Sequence, residues 1–467
     1  MVRCERSPRT PGGGRARPGR ITAIAMSERV VLERVQTTTL DNGLRVLVVE
    51  RHAAPVATFW LWYAVGSRNE QPGRTGISHW VEHMLFKGTP TRPYAALTRA
   101  IDRLGGRWNA FTWKDYTAYH EVLPAEHLPV VIEMEADRMR NTCFEPEEVE
   151  RERTVILSER EGAENFPLFS LQEEVDALAF KVHPYRLPVI GWKGDLRRLT
   201  RDDLYAHYRT YYHPGNALAV AVGAFDAEAV LEQVRRAFDP LAPGPPPPPV
   251  TVEEPPQEGE RRVVLQRPGG ATSYVQVAYH APAAGDPDLP ALLVLDGVLG
   301  GFDAVRGAVA PARSSRLYRA LVDRGLATEV VSSVAASFDP GLLRIVATVR
   351  SGVPVATVEA AILEEVERLV TTEVLPEELA RVRRQARAQF SYVRDGVHAF
   401  AGALGAYALL LYPEAFFDVM AHVERVTPAD VQRVAARIFD PRRRTVGWYV
   451  PEEGAAAVRR VAARVEA

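Results

Sequence analysis

A run of prolines interrupts the chain near its middle and limits how it can fold. Residues 240–256 read PLAPGPPPPPVTVEEPP and contain nine prolines in seventeen residues. Proline has no backbone N–H to donate and its ring fixes φ, so such a run stays extended and belongs between domains rather than in a core. We therefore predict two domains, at residues 26–240 and 261–467, joined by a proline-rich linker at 241–260.

The two halves repeat one local pattern. Thr200 begins the segment TRDDL, and Pro214 follows it; Thr427 begins TPADV, and Pro441 follows it, so both residues are shifted by 227 positions. Threonine is a preferred residue at the start of a helix, and the aromatic–X–Pro sequence that follows ends one. An apolar, strand-like segment comes next in each half. The repeated helix–strand unit indicates an internal duplication.

Hydrophobic periodicity places strands and helices in both halves without regular alternation. Short apolar or alternating runs predict strands, and long amphipathic runs predict helices. The predicted strands cover residues 44–49, 57–63, 217–222, 263–265, 274–279, 342–349 and 445–450, and the predicted helices cover 146–161, 355–370 and 376–393. This mixture predicts an α+β fold, in which helices pack on a mostly antiparallel sheet in each half.

Composition argues against several classes of protein. Hydrophobic residues make up 46% and charged residues 25%, which is typical of folded domains. The 57 basic and 59 acidic side chains leave a net charge of −2, which does not favour binding to nucleic acid or to a membrane surface. No apolar run approaches the roughly 20 residues of a membrane span. Two cysteines, Cys4 and Cys143, cannot form a disulfide framework, and a cytoplasmic location is expected. Residues 1–25 are predicted to be a disordered tail or a misassigned start.

One segment carries a metal-binding pattern. It reads TGISHWVEHMLFKG, starts at Thr75, a possible N-cap, and ends at Gly88, a possible stop, so it predicts a helix of about three turns. His79, Glu82 and His83 share one face, because residues three and four apart are neighbours on a helix. Two imidazoles one turn apart can bind Zn²⁺, with the carboxylate near the open coordination position. This is H-x-x-E-H, the inverse of H-E-x-x-H. The alternative is a solvated helix face that happens to hold two histidines.

A catalytic zinc ion needs a third protein ligand, which we expect on another helix. Glu159 is the candidate, in the segment ERERTVILSE that ends at that residue. Glu152 lies seven residues earlier, on the same face of the predicted helix. Carboxylates on such a helix are usually solvated charges, so spacing alone leaves that alternative open.

Taken together, these residues resemble the pitrilysin/insulinase-type zinc metallopeptidases, in particular their bacterial branch similar to the mitochondrial processing peptidase. HWVEH is followed by E-R-x-V-x-x-x-E, from Glu152 to Glu159. Further matches lie at residues 66–70, 105–112, 183–191, 212–216 and 314–317. The resemblance implies one zinc ion per chain, bound by His79, His83 and Glu159, with Glu82 as the general base. It also implies that Glu152 supports a ligating histidine.

The same resemblance implies a place for the substrate. The segment Asn109, Ala110 and Phe111 is similar to the edge strand on which the family binds a peptide as an additional strand. Taken without the family, Asn109 is equally well explained as a turn or strand-end residue.

The second half lacks the metal motif, since the predicted helix at 289–300 contains no histidine. This agrees with the family, in which one copy keeps zinc. Members that act alone carry an Arg and a Tyr after the sequence S-S-R-L. Here Val322 and Thr328 stand at those places. Arg324 is a possible substitute for the expected Arg, but an exposed charge explains it better. We therefore predict the zinc-bearing subunit of a heterodimer whose homologous partner supplies the Arg/Tyr pair; a homodimer is the alternative.

The function that the resemblance implies is a zinc-dependent endopeptidase. It would hydrolyse peptides or unfolded segments inside a chamber closed by two such chains, with water activated by zinc and Glu82. Two alternatives remain: a non-catalytic structural subunit of the same fold with an idle site, and a peptide-binding module without metal. The intact set of His79, Glu82, His83 and Glu159 favours the enzyme.

Overall fold

The computed structural model describes residues 35–267, 271–302 and 313–452. The predicted tail at 1–25 lies outside these residues.

The first half combines a sheet with helices that follow no simple alternation. Its strands are β1 (Gln36–Thr39), β2 (Arg45–Glu50), β3 (Val56–Tyr63), β4 (Arg107–Thr112), β5 (Thr117–Pro124) and β6 (Ala217–Gly223). Its helices are α1 (Ile77–Met84), α2 (Tyr94–Arg103), α3 (Leu128–Asn141), α4 (Pro146–Glu164), α5 (Pro167–Ala179), α6 (Lys193–Leu196), α7 (Arg201–Tyr211) and α8 (Ala227–Phe238).

The second half repeats this plan. Its described strands are β7 (Arg261–Arg267), β8 (Tyr274–Ala281), β9 (Ala327–Val334), β10 (Gly341–Val349) and β11 (Arg444–Pro451). Its described helices are α9 (Leu289–Leu299), α10 (Val355–Thr371), α11 (Pro376–Asp395), α12 (Val397–Leu410), α13 (Ala415–Val423) and α14 (Pro428–Ile438). The helices that were predicted at 146–161, 355–370 and 376–393 correspond to α4, α10 and α11, each extended by one to three residues.

Apart from β1, which has no counterpart among the described strands of the second half, the strand orders of the two sheets match. The first sheet has the order β1-β2-β6-β3-β5-β4, and the second has β7-β11-β8-β10-β9. In each sheet the last strand of the half pairs in parallel with one neighbour, β6 with β2 and β11 with β7, and all other pairs are antiparallel. The prediction of a mostly antiparallel α+β fold in two similar halves is confirmed.

The repeated threonine pattern marks the same helix start in both halves. The Thr200 hydroxyl accepts a hydrogen bond from the Asp203 N–H (3.2 Å), and Asp203 Oδ2 accepts one from the Thr200 N–H (2.9 Å). Thr427 and Asp430 make the same two bonds at 3.2 and 3.0 Å. These reciprocal caps begin α7 and α14, and the strands that follow take the same place in the two sheets.

Each half covers the other's sheet with one helix. Helix α12 of the second half packs on β3 and β6, and helix α5 of the first half packs on β7, β8 and β11. Strand β3 contributes apolar side chains to both faces of its sheet, because successive side chains point to opposite faces. Phe59 and Leu61 lie in the core formed with the helices of the first half, whereas Trp60 and Trp62 lie in the core shared with α12.

Charged side chains join the halves beside this exchange. The Arg68 Nε donates to Asp339 Oδ2 (2.5 Å), and His183 Nε2 lies 3.1 Å from the same oxygen. Asp176 on α5 accepts from Arg344 on β10 at 2.7 Å. Asp176 and His183 are buried, so these contacts fix the position of the two halves more strongly than surface pairs do.

The proline-rich segment runs between the halves as extended chain, with no helix or strand between α8 and β7. It is held against the first half: the carboxylate of Glu254 accepts hydrogen bonds from three consecutive backbone N–H groups, those of residues 181–183, at 2.6 to 2.9 Å. Gly244 lies so close to His213 that a Cβ there would be 2.1 Å from the imidazole Cγ.

Among the described helices, none is by itself long and apolar enough to cross a membrane. Helices α12 and α13 pass that test as a pair but are bent by 93° at the break between them.

Candidate metal centre

Helix α1 carries three of the predicted site residues and begins later than expected. Its N-cap is Gly76, with φ of +83°, and a side chain there would bring a Cβ within 2.5 Å of the Ile190 carbonyl oxygen. Thr75 is therefore not the cap that was predicted. Its hydroxyl instead donates to Asp195 (2.7 Å). The helix spans eight residues, fewer than the three turns expected.

A carboxylate six residues before the N-cap completes the start of α1. Glu70 accepts hydrogen bonds from the backbone N–H groups of Gly76 (2.8 Å) and Ser78 (2.9 Å). These N–H groups have no partner within the helix, and a negative charge is favourable at this end of the helix dipole. Because Glu70 is buried, it holds the first turn of α1, and with it the histidines that follow, in a defined place.

The three predicted zinc ligands come together. His79 Nε2 and His83 Nε2 lie 3.2 Å apart, and Glu159 Oε2, from α4, lies 3.9 and 3.8 Å from them. Ligand atoms about 2.0–2.1 Å from a tetrahedral zinc ion are about 3.4 Å from one another. The three side chains therefore fit a zinc ion with little movement. Among the described residues, this is the cluster of His, Cys, Asp and Glu side chains that can hold a metal ion.

Glu152 lies directly behind the second histidine. One of its oxygens is 2.7 Å from His83 Nδ1, and the other contacts Lys87 Nζ. A hydrogen bond at Nδ1 leaves the lone pair of Nε2 facing His79 and Glu159, which is the arrangement that a metal ligand needs. Burial alone would raise the pKa of Glu152, but the hydrogen bonds from His83 and Lys87 outweigh it and hold that pKa below its usual value.

The two histidines experience different electrostatic surroundings. Burial, together with the neighbouring His83, lowers the pKa of His79 to about 3, so His79 is neutral and can donate its lone pair to a metal. Burial would also lower the pKa of His83, but the hydrogen bond to Glu152 and the charges of Glu82 and Glu159 outweigh it and raise that pKa. Carboxylates on three sides thus favour a positive charge at this place, and a bound cation meets that condition.

Glu82 points into the same space and is held by the edge strand. Its Oε2 accepts a hydrogen bond from the Thr112 hydroxyl (2.6 Å), which in turn lies 3.3 Å from the Thr117 hydroxyl. Burial raises the pKa of Glu82 to about 7, although the Thr112 bond works in the opposite direction. A carboxyl group with a pKa near neutrality can both take up and release a proton.

These residues open onto one cleft of about 480 Å³. Its lining includes all but one of the predicted site residues, namely His79, Glu82, His83, Asn109, Ala110, Phe111 and Glu159. Glu152 is the exception, because it lies behind His83. Strand β4 forms one wall and is an edge strand that pairs only with β5 in the described sheet. Helix α5 and residues 186–190 form the opposite wall.

Sequence reasoning missed two parts of this arrangement. The hydrogen bond from Thr112 to Glu82 was not predicted, although Thr112 ends the segment 105–112 and strand alternation places it on the face of β4 that turns to α1. The wall formed by α5, which includes Phe169 and Asp176, carries no local signal, because it depends on how α5 crosses to the second sheet.

The second half contributes no metal ligand among the described residues. All eleven residues of α9 are buried, and none is a histidine. Val322 ends a π-helical turn, and Thr328 is exposed on β9. Neither they nor Arg324 line the cleft in the described part of the chain.

Two family models match the chain. The one described as "Insulinase (Peptidase family M16)" matches residues 45–192, and the one described as "Peptidase M16 inactive domain" matches residues 198–386. The first contains the cluster on α1 and α4, and the second contains α9 and the strands β7 to β10 of the second half.

Relatives cover nearly the whole chain. A protein named "Probable mitochondrial-processing peptidase subunit beta, mitochondrial" from Arabidopsis thaliana is 29% identical over 437 aligned positions, and the alignment covers 89% of this chain and 79% of that protein. An uncharacterized zinc protease of Streptomyces coelicolor is 30% identical over 416 residues, covering 87% and 88%. The crystal structure of a protease from Helicobacter pylori superposes with a TM-score of 0.84 at 27% identity, over 90% of this chain and all of that one.

Proposed function

Because the chain belongs to peptidase family M16, the insulinase family, we propose that it is a zinc-dependent endopeptidase. One observation carries the proposal: His79, His83 and Glu159 bring three ligand atoms within 4.8 Å of one another, beside a buried carboxylate on the same helix. An idle subunit would gain nothing from keeping this set together.

Each side chain has one task in the proposed reaction. His79, His83 and Glu159 would hold a zinc ion, which when bound would supply a Lewis acid for acidifying water and polarising a peptide carbonyl. Glu152 fixes the ring of His83 through Nδ1. Glu82 takes the proton from the attacking water and returns it to the leaving amine. Thr112, by holding Oε2 of Glu82, leaves Oε1 to exchange that proton.

The proposed substrate is a peptide in extended conformation. The free edge of β4 faces the cleft, so a peptide can add to it as another strand through main-chain hydrogen bonds. Main-chain recognition is independent of the peptide's sequence and requires a segment that is not already folded. This favours peptides and unfolded segments over intact globular proteins.

We also propose that a second, homologous subunit closes the cleft and supplies the Arg/Tyr pair that Val322 and Thr328 replace here. The exposure of Glu159 is consistent with a covering subunit, because 49% of the side chain of this expected ligand is accessible to solvent. The relative from Arabidopsis is by its name one subunit of a peptidase. A homodimer remains the alternative, and a cytoplasmic location stays a prediction.

The test compares the full chain with its Glu82→Gln variant, each measured for zinc content and for cleavage of an unstructured, internally quenched peptide. We expect about one zinc ion per chain in both and a loss of activity of at least about 10³-fold in the variant. Glu147→Gln, the same change at an exposed position of α4 (87% exposed), is the matched control and keeps full activity.

Two results would contradict the proposal. Unchanged cleavage by Glu82→Gln removes Glu82 from the reaction. Zinc without cleavage in the wild type, both alone and with a co-purified partner, favours a non-catalytic subunit with an idle site. Cleavage at the full rate without any partner would refute only the need for a second, homologous subunit.

A further inference from the structure

The turn that follows the edge strand β4 is held by both halves of the molecule. It covers residues 113–116, between β4 and β5, and we call it the edge turn. Its backbone is fixed within the first half, because the carbonyl groups of Trp113 and Lys114 accept hydrogen bonds from two consecutive N–H groups, at 3.2 and 2.8 Å. Its two charged side chains, Lys114 and Asp115, are held by contacts that lead to the second half.

Lys114 connects the two walls of the metal cleft. Its ammonium group donates to Asp176 Oδ2 on α5 (2.6 Å) and to the backbone carbonyl of Tyr185. Lys114 and Asp176 both line the cleft, the first at the end of β4 and the second on the opposite wall. The other oxygen of Asp176 accepts a hydrogen bond from Arg344 Nη2 on β10 at 2.7 Å. The two walls are therefore joined by an ion triad whose last member belongs to the second half.

This ion triad is shielded from solvent. The side chains of Lys114, Asp176 and Arg344 are 12%, 8% and 14% exposed. Burial alone would raise the pKa of Asp176, but the charges of Arg344 and Lys114 outweigh it and lower that pKa. A carboxylate that is bound at both oxygens keeps one orientation. Arg344 therefore holds Asp176 in the orientation in which its other oxygen reaches Lys114.

Asp115 is held by the main chain of the second half. Its Oδ2 accepts a hydrogen bond from the Phe338 N–H (3.1 Å), and its Oδ1 accepts one from the Tyr185 hydroxyl (2.6 Å). The same hydroxyl accepts a hydrogen bond from the Asp339 N–H (3.1 Å). Two consecutive N–H groups between β9 and β10 thus bind this buried pair of side chains. The β9–β10 connection and β10 itself therefore hold both charged side chains of the edge turn.

The position of β4 matters for both parts of the proposed reaction. Thr112, the last residue of β4, binds Glu82, and the free edge of β4 is where a peptide would pair. The expected metal ligands lie on other elements, α1 and α4. A misplacement of about 1 Å can reduce catalysis about 10²-fold. A shift of β4 would therefore impair peptide binding and cleavage and leave metal binding intact.

Resting on the proposed peptidase function, we propose that the metal-free second half positions the edge strand for catalysis, with Arg344 and Asp115 as positioning residues. Neither of them is among the described residues that line the cleft, so each would act on the peptide through the edge turn. The second half would then contribute to catalysis through a contact inside the chain, in addition to any contact with the peptide or with a partner subunit.

The experiment measures zinc content and the cleavage of an unstructured, internally quenched peptide by variants of the full chain. Arg344→Gln and Asp115→Asn each remove one charged contact to the edge turn. We expect both variants to keep about one zinc ion per chain and to lose about 10- to 100-fold in kcat/KM. Arg344→Lys retains a charge for Asp176 and should recover part of the activity that Arg344→Gln loses. Unchanged kcat/KM in both Arg344→Gln and Asp115→Asn would overturn the proposal.

A matched control separates positioning from a general loss of stability. Arg262 forms an ion pair of the same length (2.7 Å) with the buried Glu359, inside the second half. Arg262→Gln should lower the thermal stability by an amount similar to Arg344→Gln but leave kcat/KM unchanged. An equal loss of kcat/KM in the control would overturn the proposal. If Arg344→Gln does not fold, Asp115→Asn decides by the same two measurements.

Hydrogen–deuterium exchange separates this proposal from the failure of the proposed function, because it needs no substrate. Strands β4 and β5 pair with each other, so the exchange of their backbone N–H groups reports how firmly β4 is held. We expect faster exchange within residues 107–117 in Arg344→Gln and Asp115→Asn, and no change there in Arg262→Gln. Unchanged exchange in the first two variants would overturn the positioning role, even in an active enzyme. Faster exchange in a chain that cleaves no peptide would support it and refute only the peptidase function.

Discussion

Helices α1 and α9 stand at matching places in the two halves, after the long strands β3 and β8 and before the edge strands β4 and β9. Helix α9 is buried along its entire length and is almost wholly apolar. Helix α1 is only partly apolar, and its buried polar groups have partners on other elements, such as Thr112 for Glu82 and His207 for Ser78. One scaffold therefore supports a metal cluster in one copy and a packed core in the other.

The comparison also shows what a metal site requires of its surroundings. His83 needs Glu152 from α4, and Glu82 needs Thr112 from β4, so replacing α9 by the sequence of α1 would not create a second site. The second half has used the same position for apolar burial, which contributes stability directly. We expect changes in α1 to alter function and changes in α9 to alter stability.

The largest expected effect is on the α1 side of this comparison. His83→Ala removes one of three protein ligands, so we expect loss of stoichiometric zinc and a fall in peptide cleavage of at least about 10³-fold. Zinc analysis and kinetics measure the effect, and circular dichroism checks that the fold persists. His127→Ala, at the surface of the same half, should change neither quantity. A His83→Ala variant that still bound one zinc ion per chain would contradict this prediction.

On the α9 side, Leu295→Ala should cost about 2–5 kcal/mol of unfolding free energy, because Leu295 is fully buried and the change leaves a cavity. Zinc content should not change. Denaturant unfolding gives the free energy, and Leu375→Ala, at a residue 52% exposed, should cost less than about 0.5 kcal/mol. Zinc loss in Leu295→Ala at a temperature where the protein stays folded would contradict the division of roles.

A third pair of variants compares how tightly α12 packs on the first sheet and α5 on the second. A Cβ on Gly405 of α12 would lie 2.3 Å from Trp62 Nε1, in a ring that is buried and stacked, so Gly405→Ala should cost about 1–3 kcal/mol. A Cβ on Gly447 of β11 would lie 2.5 Å from Val175 Cγ2, the end of a movable side chain on α5. Gly447→Ala should therefore cost less. Thermal unfolding of both variants under the same conditions measures the two losses of stability. A larger loss in Gly447→Ala than in Gly405→Ala would contradict the prediction.

The smallest expected effect concerns the contacts that hold the halves together. Burial would raise the pKa of Asp339, but hydrogen bonds and charge from His183 and Arg68 outweigh it and lower that pKa to about 2. The folded pKa lies below the unfolded value of about 3.9, so this carboxylate stabilises the protein above about pH 4, and the contribution is lost as the pH falls toward 2.

Asp339→Asn should thus cost about 1–2 kcal/mol at pH 6 and about half of that at pH 3, as measured by denaturant unfolding at both pH values. The side chain is 30% exposed, which keeps the effect below the full value of the pKa shift. A difference between variant and wild type that stayed constant, or grew, on acidification would exclude this role for Asp339.

Much of the fold could be predicted because its signals are local. The apolar run of β3, the long helical pattern of α4 and the two threonine caps, at Thr200 and Thr427, are signals that act over a few residues. The structure has each of them close to the predicted bounds. The order of the strands was not predictable in this way. Strand β6 enters between β2 and β3 from far along the chain, and no short pattern records that.

The same distinction between local and long-range signals applies to the candidate site. His79, Glu82 and His83 follow from helix spacing alone, whereas the choice of Glu159 among many acidic residues of α4 needed the family resemblance. The error at Thr75 has a physical reason: its hydroxyl is taken by Asp195, which is distant in the sequence, and the first N–H groups of α1 are bound by Glu70 instead. The packing of α12 on β3 was also not predictable, because more than three hundred residues separate the two elements in the chain.

The exchange of α5 and α12 has a consequence for how the chain is made. When β6 leaves the ribosome, the first sheet is complete, but the helix that covers its aromatic face has not been synthesised, and residues 224–396 must be added first. At about 5–20 residues per second, the nascent chain would expose Trp60 and Trp62 to solvent for about 10–35 s. During that interval we expect the first half to bind chaperones that recognise apolar surface. A gene truncated after the proline-rich segment should yield an insoluble product.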